Sequence, residues 1–299
     1  MTEMERSWAD LTYEALVEVM KRVDFEQLYV GLPLVCKAWR VASLDPGCWE
    51  RVHMEPSFRI RSETDAWWQP AFEAKVDYML KLAVDRSAGS LLELSTRHCS
   101  NSALSYLASR CPSARLVSVS SSRGVTDLSI CQLAKSCPQL EHLDVSECQN
   151  VTVTSLEQVG QNCKSLTVLK RNRFIGNYNP SRKSQLPSEY SRTSSPANAD
   201  AEAQVICTLM TNLKHLELRH TKLSDQGLFS LLDGCTNLEC LDITGCLNLT
   251  RRAKEEARAR LPNEKLRDDK TPAQRNVNVD RYGHWQLYNE RFQSGFFQF

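Results

Sequence analysis

Twelve cysteines and six histidines stand in this 299-residue chain, and either type could hold a metal, attack an electrophile or move a proton. A zinc site would need a CxxC pair or a Cys/His cluster at ligand spacing, and none occurs. No metal or other cofactor is therefore expected. His142 and His215 are the pair that most invites acid–base chemistry, yet no nucleophile or acid is arranged beside them in the chain. A Gly-rich phosphate loop and a GxSxG elbow are also missing. The chain is not expected to be an enzyme. What the cysteines do have is a period.

Cys111, Cys137 and Cys163 lie 26 residues apart, and Cys235 follows Met210 by 25. Counted from each anchor, apolar residues recur at +3, +6 and +8: Leu140, Leu143, Val145; Leu213, Leu216, Leu218; Leu238, Leu241, Ile243. This LxxLxL spacing predicts a short strand entering a core. Seven and four residues before each anchor stands an apolar pair, such as Ile130 and Leu133 or Leu228 and Leu231, which predicts a helix. One strand and one helix per period make a right-handed α/β solenoid, with about five and a half repeats between residues 91 and 250. A second cysteine at +11, Cys148 and Cys246, with Cys99 as its counterpart in a shorter first repeat, fits a reduced, buried packing role. Positions +5, +7 and +9 alternate away from that core and nominate His142, Asp144, Lys170, His215, Glu217, Arg219 and Asp242 as a polar face for a protein substrate.

Three segments interrupt or flank the array. Residues 53–90 carry Trp67 and Trp68 and then helical spacing from Phe72, which predicts a connector helix that also covers the first edge of the solenoid. Residues from about 171 to 203 exceed the period and are rich in Ser, Pro, Asn and Arg, so a disordered loop is expected there, with Ser195 before Pro196 as a candidate phosphosite. Residues 251–299 begin with a charged helix broken at Pro262. They end in aromatic residues, Trp285, Tyr288 and Phe292 among them, which could cap the last repeat or meet a partner groove.

Ahead of all this, residues 1–52 predict three short helices. Thr12 can cap a first helix carrying Ala15, Leu16, Val19, Met20 and Val23 on one face. Asp24 with Gln27 predicts a cap for a second, which turns Phe25, Leu28 and Tyr29 inward and ends at Gly31. Pro33 suits the first turn of a third, with Val35, Cys36 and Trp39 on its buried side. So few residues make a thin core. Leu11, Leu16 and Val35 are expected to find their partners on another protein.

Trp8, Leu11, Leu16, Leu28, the VCKAW run Val35 to Trp39 and the closing Trp49 together resemble an F-box. The repeats are similar to the cysteine-containing class of leucine-rich repeats, which often follows an F-box, and the layout resembles small plant Skp-interacting F-box proteins. Thr12 departs from the proline many members carry there, yet it serves the same helix start. The resemblance implies an α+β repeat protein, a three-helix F-box followed by the solenoid. It implies docking of a Skp-type adaptor, and through it cullin and RING subunits of a ubiquitin ligase, on Leu11, Thr12, Leu16, Val19, Met20, Leu28, Val35, Cys36 and Trp39. The repeats would then hold a protein substrate for ubiquitination and proteasomal degradation. A hormone receptor of the F-box solenoid type and a repeat scaffold outside any ligase are the other readings.

A net charge of +1 with both signs mixed along the chain predicts no affinity for nucleic acid. No apolar run approaches the roughly 20 residues of a spanning helix, and the polar start does not suit a secretory signal. The nucleus, the cytoplasm or both are expected, without membrane contact.

Overall fold

The computed structural model describes residues 11–54, 65–173, 199–261 and 266–268. Trp8, Ser195, Pro262 and the aromatic tail lie outside the described residues.

The first helix, α1 (Tyr13–Met20), starts where Thr12 Oγ1 accepts the Ala15 N–H at 3.3 Å, a side-chain cap on an orphan donor. It buries Leu16, Val17 and Met20. Asp24 Oδ1 accepts from Gln27 N at 2.9 Å and opens a wide π-turn, Gln27–Gly31, followed by a 3-10 turn, Leu32–Leu34. The third helix differs from expectation: α2 runs Lys37–Ala42, and Cys36 is its extended N-cap (φ −161°, ψ 174°). That extended residue breaks the helical phase assumed from Pro33, so Val35 points to solvent instead of the core. A 3-10 turn, Pro46–Trp49, capped by Asp45, then drops Trp49 into the interior at 0% exposure.

The solenoid follows at once. Its strands are β1 (Arg51–His53), β2 (Glu93–Arg97), β3 (Leu116–Ser120), β4 (His142–Asp144), β5 (Val168–Lys170), β6 (His215–Glu217), β7 (Cys240–Asp242) and β8 (Leu266–Arg267). They form one parallel eight-stranded sheet in chain order. The helices between them are α3 (Pro70–Arg86), α4 (Asn101–Arg110), α5 (Asp127–Ser136), α6 (Val153–Asn162), α7 (Ala199–Leu209), α8 (Asp225–Gly234) and α9 (Arg251–Arg260). Register keeps Val52, Leu94, Val117, Leu143, Leu169, Leu216 and Leu241 in one column, all buried. The array is therefore longer than 91–250 at both ends. β1, at the junction of residues 1–52 with the expected connector, and α3 of that connector are its first strand and helix, and α9 with β8 continue it past residue 250. Neither end carries the cysteine anchor, so the period could not show them.

Two ladders explain the repeat's residue types. The anchor cysteines are helix C-caps whose thiols reach carbonyls of the preceding repeat, as Cys137 Sγ to Cys111 O at 3.4 Å and Cys163 Sγ to Cys137 O at 3.6 Å. The +11 thiols do likewise: Cys148 to Val119 O and Cys246 to Leu218 O, both at 3.1 Å. A small, weak donor is what such a buried carbonyl needs, and burial pushes the Cys137, Cys148 and Cys235 thiols up to about 12. At the other helix end, Ser100, Thr126, Thr152, Ser224 and Thr250 are N-caps. Most are also held by an acid of the previous helix: Asp127 accepts both Thr152 N and Oγ1, at 2.7 and 2.6 Å, and Asp225 treats Thr250 the same way.

Both ends of the loop expected at 171–203 belong to the repeats. Arg171 occupies +8 of its repeat, where Val145, Leu218 and Ile243 stand elsewhere, and is fully buried. Its guanidinium donates to Val145 O at 3.3 Å, to Cys148 O at 2.9 Å and to Val151 O, and pairs with Glu202 of α7 at 3.4 Å. Arg173 reaches the same carboxylate at 2.7 Å. Residues 199–203 belong to α7, and only residues 174–198 lie outside the described part.

Candidate functional site

Two surfaces carry exposed side chains that the fold does not use. The first is the helical unit before β1. Of nine exposed large apolar side chains among the described residues, six fall within it: Tyr13, Val19, Leu34, Val35, Val41 and Leu44. Leu34 is 81% exposed, and Val35 and Val41 are each 59%. Apolar side chains gathered in so short a unit make it the candidate surface for contact with another protein. Tyr13 also fixes the unit's edge, since its hydroxyl donates to Asp45 Oδ2 at 2.6 Å and that carboxylate raises the phenol above its ordinary value.

This corrects part of the expected docking set. Leu16, Met20 and Leu28 are 1%, 1% and 3% exposed and hold α1 and the π-turn onto the core. Helix α1 has only eight residues, so one face suffices to bury it, and Leu16 was placed on the wrong side of the surface. Leu11 and Trp39 pack half-buried against that core, Cys36 is half-buried, and Thr12 is exposed as a cap. Val19 and Val35 face outward. Leu34, Val41 and Leu44, which the expected set did not include, are exposed as well. The extended Cys36 that interrupts the helix has no strong sequence signal.

The second surface is the face of the sheet away from the helices, at β4 to β7. Asn172 Nδ2 donates to Glu217 Oε2 at 2.9 Å, His215 Nε2 lies 3.0 Å from Glu217 Oε1, and Lys170 Nζ lies 3.3 Å from it. Arg219 joins Glu217 at 3.4 Å to Asp242 at 2.8 Å. Burial alone would raise the Glu217 carboxyl, but the bonds from His215 and Asn172 and the Lys170 and Arg219 cations hold it well below the usual carboxylate range. His215 is pushed up to about 9 by the neighbouring Cys240 and then by its contact with Glu217.

The seven residues expected to line this face are thus unequal. The Glu217 and Asp242 side chains are only 7% and 3% exposed, a floor beneath Lys170, His215 and Arg219, whose side chains are 30%, 28% and 38% exposed. Glu217 and Asp242 organise the cations, and the cations are the more exposed side chains of this row. Asp144 lies in the same row, takes Ser146 N at 2.9 Å and Ser118 Oγ at 3.3 Å, and has its carboxyl raised by burial. Val168 separates His142 from His215 in the strand register, so the two imidazoles are not a working pair. Among the described residues no group of three His, Cys, Asp or Glu could hold a metal ion.

One buried histidine, His98, and one half-buried histidine, His142, give the fold an acid limit. Burial, with the Arg97 cation, pushes His98 down to about 3, and burial, with Lys170 and His215, pushes His142 down to about 4. The unfolded chain takes up protons near pH 6.5, so the stability each provides is complete above that pH and is lost as pH falls toward the folded values. Each should cost about 1–2 kcal/mol between pH 6.5 and 5. Urea titrations at pH 7 and 5 measure this, and His98→Asn, which tolerates that residue's left-handed φ of 56°, should flatten the difference.

Comparison with known proteins places both surfaces in context. Residues 8–51 match the F-box domain family, and residues 210–232 match a leucine-rich-repeat family. The chain is 38% identical over 296 residues to the F-box protein SKIP1 of Arabidopsis thaliana, an alignment covering 98% of each. It is 48% identical over 245 residues to the putative F-box/LRR-repeat protein 19 of the same plant, covering 82% of this chain and 81% of that one. The Arabidopsis F-box protein FBW2 is 29% identical over 244 residues, covering 81% and 68%.

Proposed function

The chain belongs to the F-box/leucine-rich-repeat proteins, and on that premise we propose that it is a non-catalytic substrate receptor of a Skp–cullin–F-box ubiquitin ligase. The observation that carries the reading is the set of exposed apolar side chains around Leu34, Val35 and Val41, ahead of a separate polar face on the sheet. The apolar end docks a Skp-type adaptor, and through it cullin and RING subunits. The face around Lys170, His215 and Arg219 meets a protein substrate, which is ubiquitinated and passed to the proteasome, in the nucleus, the cytoplasm or both. Because β1 begins two residues after Trp49, no flexible linker separates the two ends. The ligase then gains from holding substrate at a fixed distance, a proximity effect rather than chemistry by this chain.

Leu34→Asp with Val35→Asp tests it. Both side chains are exposed, so the fold should shift by about 0.5 kcal/mol or less, while adaptor affinity measured by calorimetry should fall about 10- to 100-fold. Full affinity in the double variant would remove the assignment. A scaffold outside any ligase would bind no adaptor at all. A hormone receptor would show a ligand-dependent thermal shift in the wild-type chain.

A further inference from the structure

We infer that the sheet face from β5 to β8 takes an acidic, extended segment of a partner protein, its carboxylates set over Lys170, Arg219 and Arg267. The inference rests on the reading of this face as the substrate side and names the chemistry that side selects. Lys170, Glu217, Asp242 and Arg267 are register partners in one row, and His215 and Arg219 stand two residues to either side of Glu217 in the chain. The row is sorted by depth. Glu217 and Asp242 are buried, whereas Lys170, His215 and Arg219 are half-buried and Arg267 is exposed.

His215 is pushed up to about 9 and is a cation at neutral pH, so cations stand outermost along the whole stretch. The sunken carboxylates hold them in place: Lys170 and His215 lie 3.3 and 3.0 Å from Glu217, and Arg219 bridges Glu217 and Asp242 at 3.4 and 2.8 Å. Lysine and arginine keep further N–H donors after such contacts. A partner therefore meets positive charge that is already ordered, which lowers the entropy lost on binding and favours a segment of opposite sign. Asp144, also in the row, is half-buried and takes Ser146 N and Ser118 Oγ. The exposed acids at the strand starts, Glu141 and Glu239, are answered there by Arg115 and Lys214.

Strand spacing sets the length of the segment. Neighbouring strands stand about 4.8 Å apart, so β5 to β8 span about 14 Å, and an extended chain rising about 3.3 Å per residue crosses that in about four steps. Side chains on one face of such a chain fall about 7 Å apart, and long lysine and arginine stems on β5, β6 and β8 make up the offset. Acids at alternate residues fit this row better than one phosphate, because the positive charge is spread along it and Arg219 already bridges two carboxylates.

Fluorescence anisotropy of the full-length protein tests this with a short labelled Ser/Gly peptide carrying Glu at three alternate positions. It should bind about tenfold tighter than the same peptide with Gln, as three exposed ion pairs allow, and lose that margin in about 0.5 M salt. Lys170→Gln with Arg267→Gln should remove most of the margin, while Glu217 keeps His215, Asn172 and Arg219. Arg251→Gln with Arg252→Gln takes the same charge from exposed positions on α9 and should remove none. Equal affinity for the Glu and Gln peptides would overturn the inference, and that comparison needs no variant to fold. So would an equal loss in both double variants, or tighter binding of the peptide with a single phosphoserine in place of the three Glu. Adaptor calorimetry on the same protein separates the two failures. Adaptor binding without a preference for Glu sinks this inference alone, and a preference for Glu without adaptor binding keeps the acidic-segment site and sinks the receptor reading.

Discussion

Replacing Glu202 with leucine should destabilise the solenoid by about 3–5 kcal/mol, the cost of breaking a buried ion pair from one side. Glu202 is 3% exposed and is the carboxylate shared by Arg171 and Arg173, at 3.4 and 2.7 Å. Without it two adjacent guanidiniums face each other inside the protein. Burial and the Arg171 charge already push Arg173 down to about 10. Arg171→Leu should cost less, because Arg173 still satisfies Glu202, although the carbonyls of Val145, Cys148 and Val151 lose their donor. The double variant Arg171→Leu with Glu202→Leu should be more stable than Glu202→Leu alone, a coupling that a double-mutant cycle in urea measures. Additive costs would contradict the shared pair. Because repeats contact mainly their neighbours, the single Glu202 variant should also unfold in two steps, parting between β5 and β6.

Trp49→Ala should cost about 3–5 kcal/mol as well, as a large aromatic cavity does. Trp49 is 0% exposed, and its Nε1 donates to Ser43 O at 2.8 Å. Phe25 meets it edge-on with ring centroids 6.1 Å apart. On its face, 4.7 Å from the ring centre, lies the guanidinium of Arg86 from α3. One side chain thus joins the F-box core to the first helix of the solenoid. Trp49→Phe keeps much of the volume but leaves Ser43 O without its indole donor, and should cost about 1–3 kcal/mol. Arg86→Met, which keeps the length and removes the charge, should cost about 0.5–2 kcal/mol. Urea unfolding ranks the three. A Trp49→Ala protein as stable as wild type would mean that the two units do not share a core.

The repeat was legible because its residues are selected by geometry that recurs. A cysteine at each helix C-cap, a hydroxyl at each N-cap and an LxxLxL strand must return wherever the neighbouring repeat offers the same carbonyl and the same acid. The repeats that escaped notice use other residues for the same places: Val52 and Met54 at the first strand, Leu266 at the last. Arg171 was hidden for a related reason. A charged residue at a core position reads as the end of a pattern until Glu202, 31 positions later, is seen to complete it.

Sequence by itself determined the family, the order of the two units, the parallel strand-and-helix period, the buried packing role of the ladder cysteines and the helix starts at Thr12 and Asp24. These follow from local spacing, which one chain carries in full. Only the tertiary structure decided which apolar residues of the F-box face outward, because one extended residue at Cys36 rotates Leu34 and Val35 into solvent. Only it sank Glu217 and Asp242 beneath Lys170, His215 and Arg219, and brought Cys240 beside His215, since depth and cross-strand neighbours depend on the packing of segments 25 or more residues apart.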